Sequence, residues 1–455
     1  EIPKRDWSSD VCSSDLMATP SHAAFSPQAA AHLRLPCHAL TYYLSPERIA
    51  HLAQGLGWPG RRRVFDPCAT LFTTVDQALH GQCSQVAAVS RLAAASGLPL
   101  DRDSGAFCRA RRELWLPLVQ AAAQDAYLTA RSMTPRPRRW LMDGSSLALA
   151  PSAANQAVFP QSTCQPAGCG DPQLHLVALV DQATGCVTQA QGGTLNDHDA
   201  KLGRALWDTI PRGDWLIADR GFASYGLLAG AAARGFQVVV RQHQRRRNSV
   251  PLPDDVDRDD RLETWRRPAS WPEWWDEHLP AQLPVRVVRQ RLDSGEILTL
   301  NTTLSPEQAS TEQVLAAYRE RWQVETRFLE LKVQLGLEPL RAETPELAEK
   351  LLWAWLLAHN LLCCLLCDAA QSSGDQRADF SYQGAMAALD AAALLPACSA
   401  IQARNWVLGE ITRNPLPRRR TQRRDEPRML RRHHRAYPKM VKPRAEYHRG
   451  RNCPR

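Results

Sequence analysis

The spacing of apolar residues changes along the chain, and each change marks a predicted element or domain. Residues 17–135 place apolar residues three and four apart between short Gly- and Pro-containing breaks, which is typical of helices. From 140 to 242 the pattern becomes one of short apolar runs and alternations, interrupted by two helical stretches. Strands are predicted at 140–150, within the hairpin 174–193, at 214–222 and at 236–242, and helices at 198–210 and 224–235. The order β-β-β-α-β-α-β indicates a mixed sheet covered by helices.

The pattern breaks between 244 and 283, where no clean period is visible and tryptophans cluster. Strand-like runs at 285–292 and 296–304 follow, joined by an Asp-Ser-Gly turn. A long helical region, 305–370, is divided near 336–346 by Gly and Pro. Its most apolar part, 351–370, is interrupted by His359 and Asn360, so we interpret it as a buried core helix and not as a membrane span.

Two aspartates stand in predicted strands of the mixed sheet. Asp143 lies within the first strand and Asp219 at the end of the fourth. A carboxylate inside an apolar strand is costly to bury unless it is paired or bound to a cation. Two such carboxylates on neighbouring strands would repel each other, and a divalent ion between them would remove that repulsion. His198 and Asp199 begin a predicted helix, where we interpret Asp199 as a first-turn carboxylate and not as a further ligand.

The segment YRERWQVETRFLELK, residues 318–332, is predicted to form one continuous helix. At about 100° per residue, Tyr318, Arg321, Glu325 and Lys332 fall within a stripe roughly 60° wide. The pattern puts apolar residues beside this stripe, and it puts Arg327, Glu330 and other polar residues on a face toward water. An ordinary helix with an Arg321–Glu325 salt bridge, worth a few tenths of a kcal/mol, remains open from periodicity alone.

The net charge of +9 is concentrated at one end of the chain. Residues 411–455 contain sixteen Lys and Arg against three Asp and Glu, a net charge of +13, and the rest of the chain carries −4. Such a segment suits a polyanion such as DNA, although a solubilising tail has the same composition. The thirteen cysteines show no disulfide framework and are expected to be free thiols in a reducing cytoplasm. Residues 1–16 are interpreted as a non-native leader before Met17.

These motifs together resemble the DDE transposases of the IS4 family of bacterial insertion sequences. The family has a Tyr-(2)-Arg-(3)-Glu-(6)-Lys signature, and Tyr318, Arg321, Glu325 and Lys332 match every spacing. The contexts MDGSS around Asp143 and ADRGF around Asp219 match its two aspartates. The resemblance covers roughly residues 35–445.

The resemblance implies an α/β fold: an RNase H-like mixed sheet core with a β-rich insertion and a helical N-terminal domain. The implied organisation is a helical N-terminal DNA-binding domain at 17–135, a catalytic core at 136–243 and 301–400, an insertion subdomain at 244–300 and a basic C-terminal tail at 401–455.

The resemblance also implies the chemistry. Asp143, Asp219 and Glu325 would hold two Mg²⁺ ions, for which Mn²⁺ can substitute, while Tyr318, Arg321 and Lys332 would contact DNA. Arg220 is a further candidate for a phosphate contact. A flipped base in a hairpin intermediate would stack on an aromatic residue, and the candidates are Trp265, Trp271, Trp274 and Trp275. The implied partners are double-stranded DNA, as terminal inverted repeats and target, and a second copy of the chain in a synaptic homodimer, acting in the bacterial cytoplasm and not at a membrane.

Two other functions are considered. A decayed transposase would keep its basic tail and bind DNA without cutting it; the presence of all three carboxylates speaks against this. A glycoside hydrolase needs only two carboxylates in a cleft, and it leaves the Arg and Lys of the signature and the basic tail unexplained.

Overall fold

The computed structural model describes residues 37–58, 65–97, 104–134, 138–246, 252–253, 255–396, 398–416 and 446. The predicted leader and the most basic stretch, 417–435, lie outside the described residues.

The centre of the molecule is one mixed sheet of eight strands. The strands are β1 Arg139–Ala148, β2 Gln173–Asp181, β3 Val187–Gly193, β4 Trp215–Ala218, β5 Gln237–Arg241, β6 Arg258–Arg266, β7 Gln282–Arg291 and β8 Ile297–Thr302. Their order across the sheet is β3-β2-β1-β4-β5-β8-β7-β6. The first five strands match the strands predicted from the apolar pattern.

The pairing of these five strands gives an RNase H-like core. β1, β2 and β3 form an antiparallel meander. β4 lies on the other side of β1 and parallel to it, and β5 is parallel to β4. Parallel neighbours need a crossover connection, which the helical stretches between β3 and β5 supply. The mixed α/β fold predicted from the sequence is confirmed.

The insertion continues this sheet. β8 pairs antiparallel with β5, β7 with β8, and β6 with β7. Strand β6 was not predicted, because it forms the outer edge of the sheet, where all its residues except Trp265 are exposed or half-buried and give no apolar signal. Its acidic residues pair with arginines buried on β7: Asp260 with Arg286 and Asp259 with Arg289.

The helices surround the sheet. They are α1 Pro46–Gly55, α2 Pro67–Leu79, α3 Gln85–Ser96, α4 Gly105–Glu113, α5 Leu116–Ser132, α6 Ala153–Val158, α7 Asp199–Arg204, α8 Tyr225–Arg234, α9 Thr311–Arg319, α10 Gln323–Leu329, α11 Pro345–Ser373, α12 Tyr382–Ala392 and α13 Ala400–Arg413.

Helix α11 is the spine of the helical layer. It is long and apolar enough to cross a membrane, but the whole of that apolar window is buried inside the protein, as expected for a core helix. The side chain of Asn360 bonds to β3, where its Oδ1 accepts from the Val187 N–H at 2.9 Å, and to α5 through Ala123 O at 3.1 Å. Residues of α1, α2, α5 and α13 share one hydrophobic core with the sheet, whereas Ala88, Val89 and Phe107 of α3 and α4 form a small separate cluster.

Candidate active site

Asp143 lies in the middle of β1, where the neighbouring strand β4 has just ended. The last pair of the parallel ladder joins Met142 to Ala218, so this edge of β1 has no neighbouring strand from Asp143 until Leu149 bridges to Leu340. The Asp143 side chain is 22% exposed, and its Oδ1 accepts the N–H of Gly144 at 2.9 Å. Burial raises the pKa of this carboxyl to about 6, opposed by Gly144 and Arg321 and helped by the nearby charges of Asp219 and Asp199. A buried acid with incompletely compensated charge is characteristic of a functional site.

Asp219 directly follows β4 and leads into the short 3₁₀ turn Arg220–Phe222. Its Oδ1 accepts a hydrogen bond from the hydroxyl of Tyr318 at 3.2 Å. The tyrosine is buried at the end of α9, and burial together with the Asp219 charge raises its pKa to about 12. It therefore remains a neutral donor toward Asp219.

Glu325 reaches the same place through Arg321. The Arg321 guanidinium is 3.0 Å from Glu325 Oε1 and 3.5 Å from Asp143 Oδ2, and its side chain is only 7% exposed. The charge of Asp219 is a further cause of its raised pKa. One buried cation thus contacts two of the predicted carboxylates, Asp143 and Glu325, and the charge of the third, Asp219, acts on its pKa.

Residues 318–332 are helical throughout, as predicted, but they do not form one uniform α-helix. Helix α9 ends at Arg319, a 3₁₀ turn spans Glu320–Trp322, α10 spans Gln323–Leu329, and a π-turn covers Glu330–Gln334. Changes of helix type within one segment are frequent at functional sites. The four signature residues converge all the same, because tertiary contacts to β1 and Asp219 position them rather than a uniform helical period.

Arg327 and Glu330 do not face water as the period predicts. Both are buried, and Glu330 Oε2 lies 2.8 Å from Arg327 and 3.2 Å from Arg377. His359 lies beside them, and burial lowers its pKa to about 3, so it is neutral. An ion-pair network inside the helical layer has no signature in local periodicity, because Arg377 lies far along the chain.

Lys332 turns toward β1, on the side of the sheet that carries Asp143. Its Nζ donates to the Ser146 carbonyl at 2.8 Å and to Ser145 Oγ at 3.4 Å, and it forms an ion pair with Glu338 at 2.8 Å. Arg220 is exposed on the turn after Asp219. Both predicted basic residues therefore flank the carboxylates.

The four tryptophans of the insertion occupy different environments. Trp274 and Trp275 pack edge to face, with ring centroids 6.0 Å apart, and the Trp275 ring lies against Gly226 of α8. Trp271 carries the Arg267 guanidinium 4.7 Å from its ring centre. Trp265 is 5% exposed, and the Arg246 guanidinium lies 3.3 Å from its ring centre.

Asp199 has a neighbour that the sequence does not show. This residue does stand in the first turn of α7, but His198 provides the cap, accepting the Ala200 N–H at 3.2 Å. The Asp199 carboxylate turns instead toward His175 on β2, with 2.5 Å between Oδ1 and Nε2. An aspartate at the start of a helix is common in any protein, so the sequence gives no reason to single out Asp199. Its contact with His175 is visible only in the fold.

The donor set fits a hard divalent cation in chemistry, since all three residues offer carboxylate oxygens. Within the described residues, no group of three or more His, Cys, Asp and Glu side chains is arranged so as to hold a metal ion. Arg321 provides the positive charge between Asp143 and Glu325 in this arrangement. The raised pKa of Asp143 indicates that Arg321 does not fully offset the cost of burying this carboxylate. A divalent ion would stabilise the ionised carboxylates if the Arg321 side chain turned away.

Fold and site together define a DDE transposase: residues 136–361 match the family described as "Transposase DDE domain". Within that class, the chain belongs to the IS4 family. The transposase InsG of element IS4 from Escherichia coli K12 is 25% identical over 355 residues, covering 72% of this chain and 76% of the relative.

Other relatives match shorter stretches. The putative transposase InsL of element IS186A from Escherichia coli K12 is 42% identical over 91 residues, which are 20% of this chain and 24% of the relative. The match thus spans about a quarter of the length of that relative. Among solved structures, a piggyBac transposase synaptic complex with hairpin DNA aligns with 88% of this chain and 89% of its own, at 11% identity and a TM-score of 0.44.

Proposed function

We propose that this protein cuts and joins DNA at the ends of an insertion sequence, by Mg²⁺-dependent cleavage and strand transfer in cut-and-paste transposition. The observation that supports the proposal is the buried Arg321 guanidinium, which contacts Asp143 and Glu325 at the edge of β1 and whose pKa is raised by the charge of Asp219. Such a cluster on an RNase H-like sheet suits phosphodiester chemistry on a long, exposed substrate, because the edge is not enclosed.

Asp143, Asp219 and Glu325 are the residues that would hold the metal. Two divalent ions bound there would activate the attacking oxygen and stabilise the leaving oxygen of a phosphodiester. Tyr318 keeps the Asp219 carboxylate oriented through its hydroxyl. If bound metal ions took over Asp143 and Glu325, the Arg321 guanidinium would be free to bind a negatively charged phosphate of the DNA. Lys332 and Arg220 are the further candidates for phosphate contacts.

DNA is the proposed partner, as terminal inverted repeats and as target. The N-terminal helical domain and the basic tail would supply much of the non-specific affinity, since phosphate neutralisation dominates binding of this kind. A synaptic homodimer in the bacterial cytoplasm would bring two ends together for joining.

Trp265 is the proposed stacking residue if a base is flipped during hairpin formation. It lines a cavity of about 110 Å³ with Tyr225, His243, Arg246 and Asn301, at the carboxyl end of β5. The guanidinium already lying over its ring indicates that the ring face accepts a flat cationic or aromatic group. Trp275 instead packs against Gly226 of α8, and Trp274 packs edge to face on Trp275.

The first test is Glu325→Gln, assayed on a duplex that carries the terminal inverted repeat flanking the reading frame. We expect Mg²⁺-dependent nicking to be lost and binding of the duplex to remain within about twofold, because the change removes a ligand charge and not a DNA contact. Glu320→Gln is the matched control, since Glu320 lies in the same segment but pairs with Arg139.

The outcomes separate the candidate functions. Normal nicking by Glu325→Gln removes this residue from the active site. Binding without any nicking by the unaltered protein, in Mg²⁺ or Mn²⁺, favours a decayed transposase that acts only as a DNA-binding protein.

A further inference from the structure

The His175–Asp199 pair lies beside the proposed catalytic edge and has no role in the mechanism so far. His175 is on β2, directly opposite Ser146 of β1. Its Nε2 is 2.5 Å from Asp199 Oδ1, and both side chains are partly buried, 18% and 35% exposed. The hydrogen bond fixes the orientation of the Asp199 carboxylate.

Two glycines leave room for this carboxylate next to the two strand aspartates. A Cβ on Gly144, which follows Asp143, would lie 2.9 Å from the Asp199 Cγ and overlap its Oδ1. A Cβ on Gly221, two residues after Asp219, would lie 3.8 Å from its Oδ2. The carboxylate therefore occupies a space between the backbones that carry Asp143 and Asp219.

A purely local role does not explain this placement. The cap of α7 is His198, so the helix does not need the Asp199 side chain. The Asp199 carboxylate lies against Gly144 and so places a negative charge next to the residue that follows Asp143. Placing a third acid where it repels an existing buried one is unfavourable by itself, unless a cation is bound beside them.

We propose that Asp199 is a fourth carboxylate of the metal site and that His175 is the positioning residue that holds it in place. The proposal rests on the proposed function. Ligating carboxylates are commonly hydrogen-bonded by a second residue, and loss of such a partner typically costs about 10–100-fold in metal affinity.

The test is a titration of the full-length, DNA-free protein with Mn²⁺, followed by the electron paramagnetic resonance of free Mn²⁺, which needs no turnover. We expect Asp199→Asn and His175→Ala each to raise the apparent Kd about tenfold or more. Asp208→Asn is the matched control: it removes the same charge from an exposed aspartate shortly after α7 that pairs with Arg204 and Arg234. Thermal unfolding in EDTA shows whether each variant folds.

Asp143→Asn separates this inference from the proposed function. If it weakens Mn²⁺ binding while Asp199→Asn behaves like Asp208→Asn, Asp199 is not a ligand and only the present inference is overturned. If Asp143→Asn also binds Mn²⁺ normally, the proposed metal site is itself wrong, and the assignment of Asp199 is overturned with it. If Asp199→Asn is weakened but His175→Ala is not, the positioning role of His175 is overturned.

Discussion

The Asp143 carboxylate should destabilise the metal-free protein, and Asp143→Asn should remove that cost. Its pKa rises from 3.8 to about 6 on folding, mainly because of burial. A shift of this size corresponds to about 3 kcal/mol. Since the pKa of the folded state is the higher one, the free energy of unfolding falls as pH rises from about 4 to about 6, and the full penalty is present above that range.

The expected gain is smaller than this maximum. Asparagine keeps an oxygen that accepts the Gly144 N–H, but it loses the ion pair with Arg321 at 3.5 Å. The attraction to Arg321 is already contained in the pKa of about 6, whereas the amide of asparagine has a desolvation cost of its own, on the order of 1 kcal/mol. We therefore expect Asp143→Asn to be about 2 kcal/mol more stable than the unaltered protein at pH 8 in EDTA.

Urea unfolding at pH 8 and near pH 4, with EDTA or excess Mg²⁺, measures this difference. The advantage of Asp143→Asn should shrink toward pH 4, because the aspartate is then protonated in the folded state and becomes protonated in the unfolded state as well below its pKa of 3.8. Mg²⁺ at about 100 times its Kd should stabilise only the unaltered protein, by about 2.7 kcal/mol. A variant less stable than the unaltered protein in EDTA at pH 8, or an advantage that does not change with pH, would refute the reasoning.

Three further predictions concern DNA contacts and packing. Lys332→Ala should weaken binding of the transposon-end DNA in a filter-binding titration and lower the slope of log binding constant against log salt concentration by about one. The control is Lys201→Ala, which removes a half-exposed lysine that is paired on the surface of α7 and should leave the slope unchanged. Trp265→Ala should reduce the fluorescence change of 2-aminopurine placed at the transposon end, because base stacking contributes about 1–3 kcal/mol; an unchanged signal would remove Trp265 from this role. Gly226→Ala should lower the free energy of unfolding by about 1–3 kcal/mol, since its Cβ would overlap the ring of Trp275; equal urea midpoints would show that this ring is free to move.

Elements whose apolar residues recur every second position, or every third and fourth, were predictable because the local sequence shows which face is buried. β1 to β5 belong to this group, and helix α11, which is buried on all sides from Leu351 to Ala370, was predictable from its continuous apolar run. Edge strand β6 was missed because its pairing depends on Arg286 and Arg289 of another strand and not on an apolar face of its own.

Some residues of the candidate site were likewise recognisable from local sequence, and others were not. Asp143 and Asp219 stood out because a carboxylate in an apolar strand is anomalous in any fold. Glu325 and its three neighbours in the signature were found through the family resemblance, and their predicted arrangement on one uniform helix was wrong. Asp199 was set aside because a first-turn acid has an adequate local explanation.

The sequence by itself determined which residue types stand on which strands, and thereby the mixed sheet and the candidate acids. Only the tertiary structure decided that one guanidinium faces Asp143 and Glu325, that Glu330 turns inward to Arg377, and that Asp199 lies against Gly144. The physical reason is the distance along the chain over which each effect is visible. The pattern of buried residues repeats every few positions, whereas charged side chains pair with residues far along the chain, because an unpaired buried charge is costly.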